Sequence, residues 1–204
     1  MSVRYGMVID LKKCVGCYSC ALACKIENGT PKSVYWSKVL VSEKGKYPTT
    51  RMIFLPLLCM HCQNAPCIHV CPTGATYKRQ DGIVIVDYDK CMGCRYCELS
   101  CPYDARVFIE ELKGLQPDGV LTPYEEKMFK KHHIGVEEKC TFCSDRIDKG
   151  KDPICVSTCL AHARIFGDLN DPASEINNLI GAKNAVQLLD HVGTDASVYY
   201  ILGA

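Results

Sequence analysis

The sequence has no apolar run approaching the eighteen or so residues that a membrane-crossing helix requires; the best, Ile53 to Met60, is broken by Pro56. It has no excess of charge. Its 24 basic and 23 acidic side chains leave a net charge of +1, which argues against a general nucleic-acid binder with its basic surface. It has no G-x-G-x-x-G dinucleotide loop and no candidate nucleophile beside a base, so the chain reads as a poor enzyme. The opening residues, Met1-Ser2-Val3-Arg4-Tyr5, contain neither an apolar stretch nor paired arginines, and we expect no export signal on this chain. A hydrophobic fraction of 48% with 23% charged residues excludes a disordered polymer, and 204 residues allow one or two small domains.

What the chain has in abundance is cysteine, 16 in all. A disulfide framework at this density belongs to small secreted chains with a signal peptide, so metal is the better account. The cysteines fall into four quartets: Cys14, Cys17, Cys20 and Cys24; Cys59, Cys62, Cys67 and Cys71; Cys91, Cys94, Cys97 and Cys101; Cys140, Cys143, Cys155 and Cys159. Quartets one and three read C-x2-C-x2-C-x3-C, and the third runs on into Pro102. In this ferredoxin spacing three cysteines hold one iron–sulfur cube and the fourth reaches a second. A short loop wraps three thiolates round one face of a cube with its N–H groups toward the sulfides. The fourth cysteine is expected at the start of a helix leading away. Quartets two and four are looser, with x4 and x11 as their central gaps, but both keep the final C-x3-C. Sixteen ligands at four per cube give four 4Fe-4S clusters.

Structural zinc is the alternative, built from pairs of C-x2-C knuckles. Two runs with cysteines at i, i+3, i+6 and i+10 are foreign to that pattern. His61 lies inside quartet two and can in principle replace a thiolate, but the histidine-ligated iron–sulfur centres use two histidines on one iron. His61, His69 and His162 are therefore expected beside the sites or at the surface. His132 and His133, which follow the charged stretch from Glu125 to Lys131, are expected in solvent.

An internal repeat organises the chain. Gly6-Met7-Val8-Ile9-Asp10 leads to Lys13-Cys14 as Gly82-Ile83-Val84-Ile85-Val86-Asp87 leads to Lys90-Cys91. Nineteen residues lie between Cys71 and Cys91, enough for strand, turn (Gln80-Asp81-Gly82) and strand, as inside one two-cluster ferredoxin. The flanking gaps, 34 residues after Cys24 and 38 after Cys101, are too long for that job. The fold expected is α+β: two ferredoxin-like two-cluster modules, one inserted in the other, with extra loops and a C-terminal extension. The inserted module covers 57–109 and carries quartets two and three. The outer module covers 1–56 and 110–204, carries quartets one and four, and includes a peripheral excursion over 114–136. With ligands swapped inside each module, cluster 1 takes Cys14, Cys17, Cys20 and Cys159, and cluster 2 takes Cys140, Cys143, Cys155 and Cys24. Cluster 3 takes Cys59, Cys62, Cys67 and Cys101, and cluster 4 takes Cys91, Cys94, Cys97 and Cys71. Sequential pairing, one with two and three with four, is the alternative.

Elsewhere, Val34 to Val41 and Arg51 to Leu58 read as strands, Trp36 as packing, Pro117-Asp118-Gly119 as a turn, and Pro123-Tyr124-Glu125-Glu126 as the opening of a short charged helix in an exposed excursion. Asp171 to Glu175 starts another helix, and Val198 to Ile201 is a last extended piece. Four oxidised cubes with their thiolates contribute roughly −8 of charge, at about −2 each. The cations beside the quartets (Lys12, Lys13, Lys25, Lys90, Arg95, Lys139, Arg146, Lys149, Lys151 and Arg164) read mostly as a solvated rim, with Lys12, Lys13 and Arg95 as candidates for setting cluster potential.

The chain resembles the iron–sulfur subunit of membrane-associated molybdopterin oxidoreductases, the polysulfide, thiosulfate, tetrathionate, dimethyl sulfoxide and arsenate reductase type. The likeness runs through Met7-Val8-Ile9-Asp10-Leu11, Cys14-Val15-Gly16-Cys17, Cys71-Pro72-Thr73-Gly74-Ala75, Cys101-Pro102-Tyr103-Asp104-Ala105, Lys139-Cys140-Thr141-Phe142-Cys143, Phe166-Gly167-Asp168-Leu169-Asn170-Asp171-Pro172 and Tyr199-Tyr200. It implies a non-catalytic electron-transfer subunit with the nested pairing. Cluster 1 is then nearest a molybdopterin-containing catalytic subunit and cluster 4 nearest an integral membrane, quinone-reactive subunit. It implies no nucleic acid, no direct small-molecule substrate, and a peripheral place on the outer (periplasmic) face of the cytoplasmic membrane, exported with the catalytic subunit. Some relatives hold a three-iron cluster where quartet three lacks a cysteine; Cys94 is present here. Two departures are Leu160, where proline often follows the last cysteine, and the length of the 114–136 excursion. A cytoplasmic polyferredoxin serving a formate dehydrogenase or hydrogenase is the other related reading.

Overall fold

A strand of β-branched and apolar residues, β1 (Tyr5–Asp10), opens the chain and becomes the centre of the molecule: Met7, Val8 and Ile9 are wholly buried. The computed structural model describes residues 2–203. After the first cysteine loop comes α1 (Ser19–Asn28), stopped by Gly29 in the left-handed conformation. A hairpin of β2 (Ser37–Lys44) and β3 (Arg51–Leu58) follows, antiparallel in full register from Ser37 opposite Leu58 to Lys44 opposite Arg51. Its far end is exposed and its near end is buried, so it projects from the body. The expected strand from Val34 thus begins three residues later, because Lys25 and Thr30 hold the Val34 carbonyl in a turn.

The second quartet carries α2 (Pro66–His69), and the expected strand–turn–strand follows as β4 (Thr76–Lys78) and β5 (Val84–Val86), antiparallel to each other. The third quartet carries α3 (Tyr96–Leu99) and leads into β6 (Arg106–Phe108). The excursion contains α4 (Pro123–Met128), capped reciprocally by Thr122 and Glu125. It is less exposed than its charge suggests. Glu125, Met128, Phe129 and His132 are all buried, since the apolar pair packs inward and Glu125 spends its carboxylate on the Leu115 and Thr122 N–H groups. β7 (Glu137–Lys139) then pairs antiparallel with β6.

The fourth quartet spans α5 (Ser144–Ile147) and α6 (Ile154–Ser157), and is followed by β8 (Arg164–Asp168), α7 (Glu175–Lys183), β9 (Val186–Gln187) and β10 (Val198–Ile201). The main sheet has the order β8-β1-β10-β9, with β1 antiparallel to β8 and parallel to β10, Met7 facing Val198. The strand entering quartet one therefore lies beside the strand leaving quartet four. The helices repeat the association, α1 packing on α6 and α2 on α3. Burying a side chain such as Ile9 or Val198 fully is worth about 1.5–3 kcal/mol each, and this sheet gathers several.

Candidate metal centres

The first C-x2-C step of each quartet adopts one turn. The residue before the second cysteine has positive φ every time: Gly16 at 67°, His61 at 44°, Gly93 at 71° and Phe142 at 52°. Glycine suits this at Gly16 and Gly93, where an added Cβ meets the Phe54 ring or the Gly135 carbonyl oxygen, each at 2.3 Å. In quartets two and four the position holds an aromatic ring despite a cost of about 1–2 kcal/mol for left-handed backbone. The two rings meet: His61 and Phe142 stack with centroids 3.8 Å apart.

The helical turn in each quartet begins at or before the third cysteine, so Cys20, Cys67, Cys97 and Cys155 lie in α1, α2, α3 and α6. The fourth cysteine comes one turn later, within α1 for Cys24 and just past the helix for Cys71, Cys101 and Cys159. This corrects the expectation that the fourth cysteine starts a helix. The C-x3-C spacing is the helical repeat itself.

All sixteen cysteines are free thiols. One pocket is walled by Cys14, Cys17, Cys20 and Cys159. Another is walled by Cys59, Cys62, Cys67 and Cys101. Cys24 is within electrostatic reach of Cys155 and Cys143, and Cys140 of Cys24, Cys155, Cys143 and Cys59. Cys97 feels Cys91 and Cys67. Among the described residues no three Cys, His, Asp or Glu side chains gather as one metal ion demands. Tetrahedral zinc would draw four sulfurs to within about 4 Å of each other, given bonds of about 2.3 Å. Thiols spread around a pocket suit a cube instead.

Donors point at the sulfurs. Ala163 N–H reaches Cys159 Sγ at 3.2 Å, Thr76 N–H reaches Cys71 at 3.4 Å and Phe142 N–H reaches Cys140 at 3.4 Å. Burial pushes the Cys62 thiol up to about 12 and the Cys97 and Cys143 thiols up to about 11. Thiolates in such places need a cationic core, and loading it releases protons. At the rim, Ser19 lowers Cys17.

Three of the cations expected in the solvated rim are not there. Lys12 and Lys13 are exposed, and Arg95 pairs with Glu110 at 2.9 Å and lies over the Phe108 ring at 3.7 Å. Lys25, Lys139 and Arg164, expected in the solvated rim, are buried. Lys25 Nζ donates to the Thr30 and Pro31 carbonyls at 3.0 and 2.5 Å, and Lys139 to the Val84 and Cys140 carbonyls. Arg106, which the sequence did not single out, is also buried and reaches Cys97 Sγ at 3.2 Å. The signal for it lay in the repeat: Cys101 and Cys159 are each followed, four and five residues on, by Ala-Arg.

The histidines divide differently too. His69, His133 and His162 are exposed as expected. His61 is buried, its Nδ1 accepting from Val84 N–H at 3.0 Å, and burial holds its pKa well below the ordinary value. His132, expected in solvent, is buried between Glu138 (2.7 Å from Nδ1) and the Asn28 carbonyl (2.9 Å from Nε2). Burial works against its proton, but Glu138 and the Asn28 carbonyl together outweigh it and raise its pKa.

Sixteen free thiols in four quartets, two quartets each sharing an apolar pocket with a thiol of another, with N–H groups and a guanidinium donor on the sulfurs, are the ligand set of an iron–sulfur electron carrier. Residues 50–117 and 115–169 each match a 4Fe-4S dicluster domain, and residues 13–75 match a second domain family of the same description. The chain is 49% identical, over 98% of its length and 79% of the other's, to a Halobacterium salinarum protein provisionally named as the iron–sulfur subunit of a dimethyl sulfoxide reductase. It is 43% identical to a selenate reductase subunit of Mesobacillus selenatarsenatis, over 98% of this chain and 72% of that one. It is 38% identical to the arsenate respiratory reductase iron–sulfur subunit of a Shewanella species, over 98% and 96%. This chain belongs to the 4Fe-4S dicluster family of reductase iron–sulfur subunits: a non-catalytic electron-transfer protein whose two dicluster domains and sixteen cysteines hold four 4Fe-4S clusters. Among the described residues no helix is long and apolar enough to cross a membrane.

Proposed function

We propose that this chain relays single electrons between a quinone-reactive membrane subunit and a molybdopterin catalytic subunit of a respiratory reductase, held peripherally on the outer face of the membrane through those partners. Its relatives are named for reductases of different substrates, which fits a protein that passes electrons and leaves the substrate to its partner. The ligands are those of nested modules, with 57–109 inserted between 1–56 and 110–204. The observation that carries this is the membership of the two pockets, three thiols of quartet one with Cys159 and three of quartet two with Cys101. Further support comes from β1 pairing with β8 and from α1 lying on α6.

The relay then runs through clusters 1, 2, 3 and 4 in that order. Cys140 and Cys59, within electrostatic reach of each other, link the second station to the third. Both ends offer apolar surface for a partner: Val15, Tyr18 and Leu22 are exposed beside Cys17, and Met92, Tyr96 and Leu99 beside quartet three. The first end faces the catalytic subunit and the second the membrane subunit.

Iron counting tests the pairing. Cys14→Ala and Cys159→Ala each lower iron from about sixteen to about twelve per chain, and the double variant stays at about twelve because both thiols serve one cube. About eight irons in the double variant would point to two different cubes and sink the nested assignment. For the partners, anaerobic purification of the complex should bring down a molybdenum-containing protein; its absence would contradict the proposed pathway.

A further inference from the structure

Two arginines occupy equivalent places in the repeat. Cys97, Cys101, Ala105 and Arg106 have the spacing of Cys155, Cys159, Ala163 and Arg164. Both residues are deeply buried, each only 3% exposed. Arg106 donates to Cys97 Sγ at 3.2 Å and to Thr76 Oγ1 at 3.3 Å, and lies beside Cys67 in the wall of the pocket shared with Cys101. Arg164 donates to Ser37 Oγ at 3.1 Å, sits next to Cys155 and Cys20, and forms part of the wall of the pocket shared with Cys159. Its Nη1 has no partner among the protein's own polar atoms, a costly state for a buried guanidinium unless something else accepts from it. No carboxylate pairs with either arginine at salt-bridge distance among the described residues.

Resting on the nested four-cluster reading, we infer that Arg106 and Arg164 are the charge-setting residues of the relay, one wedged between clusters 3 and 4 and the other between clusters 1 and 2. In the low-dielectric interior a buried cation shared by two sites favours the reduced, more negative state of both. It also screens the repulsion an electron on one cube exerts on its neighbour. Arg106 therefore acts on clusters 3 and 4 and Arg164 on clusters 1 and 2. The exposed lysines beside the loops are screened by water and have little leverage.

The test uses the anaerobically purified holoprotein, with iron and acid-labile sulfide counted first and potentiometric titration followed by electron paramagnetic resonance second. Arg106→Gln is expected to keep its iron and to lower the reduced-to-oxidised ratio of two of the four clusters about tenfold at fixed potential, about 59 mV for a one-electron couple. Arg164→Gln is expected to move the other two. Arg106→Lys, which keeps the charge and loses the fork, should bring those potentials most of the way back to the parental values. A full complement of iron with four unmoved potentials, or with all four moved alike, overturns the inference alone. Far fewer irons than about sixteen in the unaltered chain would instead break the four-cluster reading beneath it. If Arg106→Gln sheds iron, Arg106→Lys decides. Retained iron and near-parental potentials support the charge; loss of iron in that variant too overturns the proposal, because the fork and not the charge is then what the site needs.

Discussion

The outward knuckles and the central knuckles share one backbone turn and differ in what stands next to them. In quartets one and three the turn is made by glycine, and the residue after the first cysteine, Val15 or Met92, is 63% or 65% exposed. In quartets two and four the same turn is made by His61 and Phe142, whose rings stack, and the residue after Cys59, Met60, is 1% exposed. The cysteine spacing sets the turn, and the neighbours decide the side chain. Where the loop ends at a surface or presses on another backbone, glycine is required. Where two loops meet, aromatic packing outweighs the strain of positive φ.

The largest effect should come from breaking the centre. Phe142→Ala removes a buried ring packed on both His61 and Phe166, and large-to-small changes of this kind cost about 3–5 kcal/mol. The midpoint of thermal bleaching of the cluster absorbance should fall by several degrees; an unchanged midpoint would mean the stack is incidental. Gly93→Ala comes next, at about 1–3 kcal/mol, since its Cβ meets the rigid Gly135 carbonyl oxygen and its φ is positive. Gly16→Ala should do less harm, because the obstructing Phe54 ring is a side chain able to turn. Iron retention in the two variants gives the comparison, and equal loss would remove the distinction.

A smaller, pH-dependent effect is expected at His132, which ties β7 to the end of α1 through Glu138 and the Asn28 carbonyl. Its pKa in the fold lies above the ordinary 6.5. The stabilisation it gives is therefore full below about pH 6.5 and fades as pH rises through the folded value. His132→Gln should bleach earlier than the parent at pH 6, and the gap should narrow toward pH 9. A gap that widens with pH would contradict the assigned sign. The smallest effect belongs to Lys12→Gln and Lys13→Gln, which should leave all four reduction equilibria within about twofold, both side chains being in solvent.

Much of this was legible in the residues. Cysteine spacing announces cubes because thiolate geometry is local, and β1, β5 and the hairpin before Cys91 are marked by β-branched runs beside a turn. The strand at Val198–Ile201 was visible, but not its parallel place next to β1, which depends on contacts 191 residues apart in the register of Met7 with Val198. Burial of charge was the least legible feature. Lys139 and Arg164 look like any surface cation in sequence, and His132 follows a charged helix; only the packed fold supplies the carbonyls, sulfurs and Glu138 that make their burial tolerable. The Ala-Arg repeat after Cys101 and Cys159 was present in the letters but means little until both guanidinium groups are seen against sulfur.

The most direct measurement is the native mass spectrum of the chain purified without oxygen. The account requires the polypeptide to carry four Fe4S4 increments, lost in whole units as collision energy rises. A polypeptide carrying single zinc ions, or the bare chain lighter by the hydrogens of paired disulfides, would contradict it.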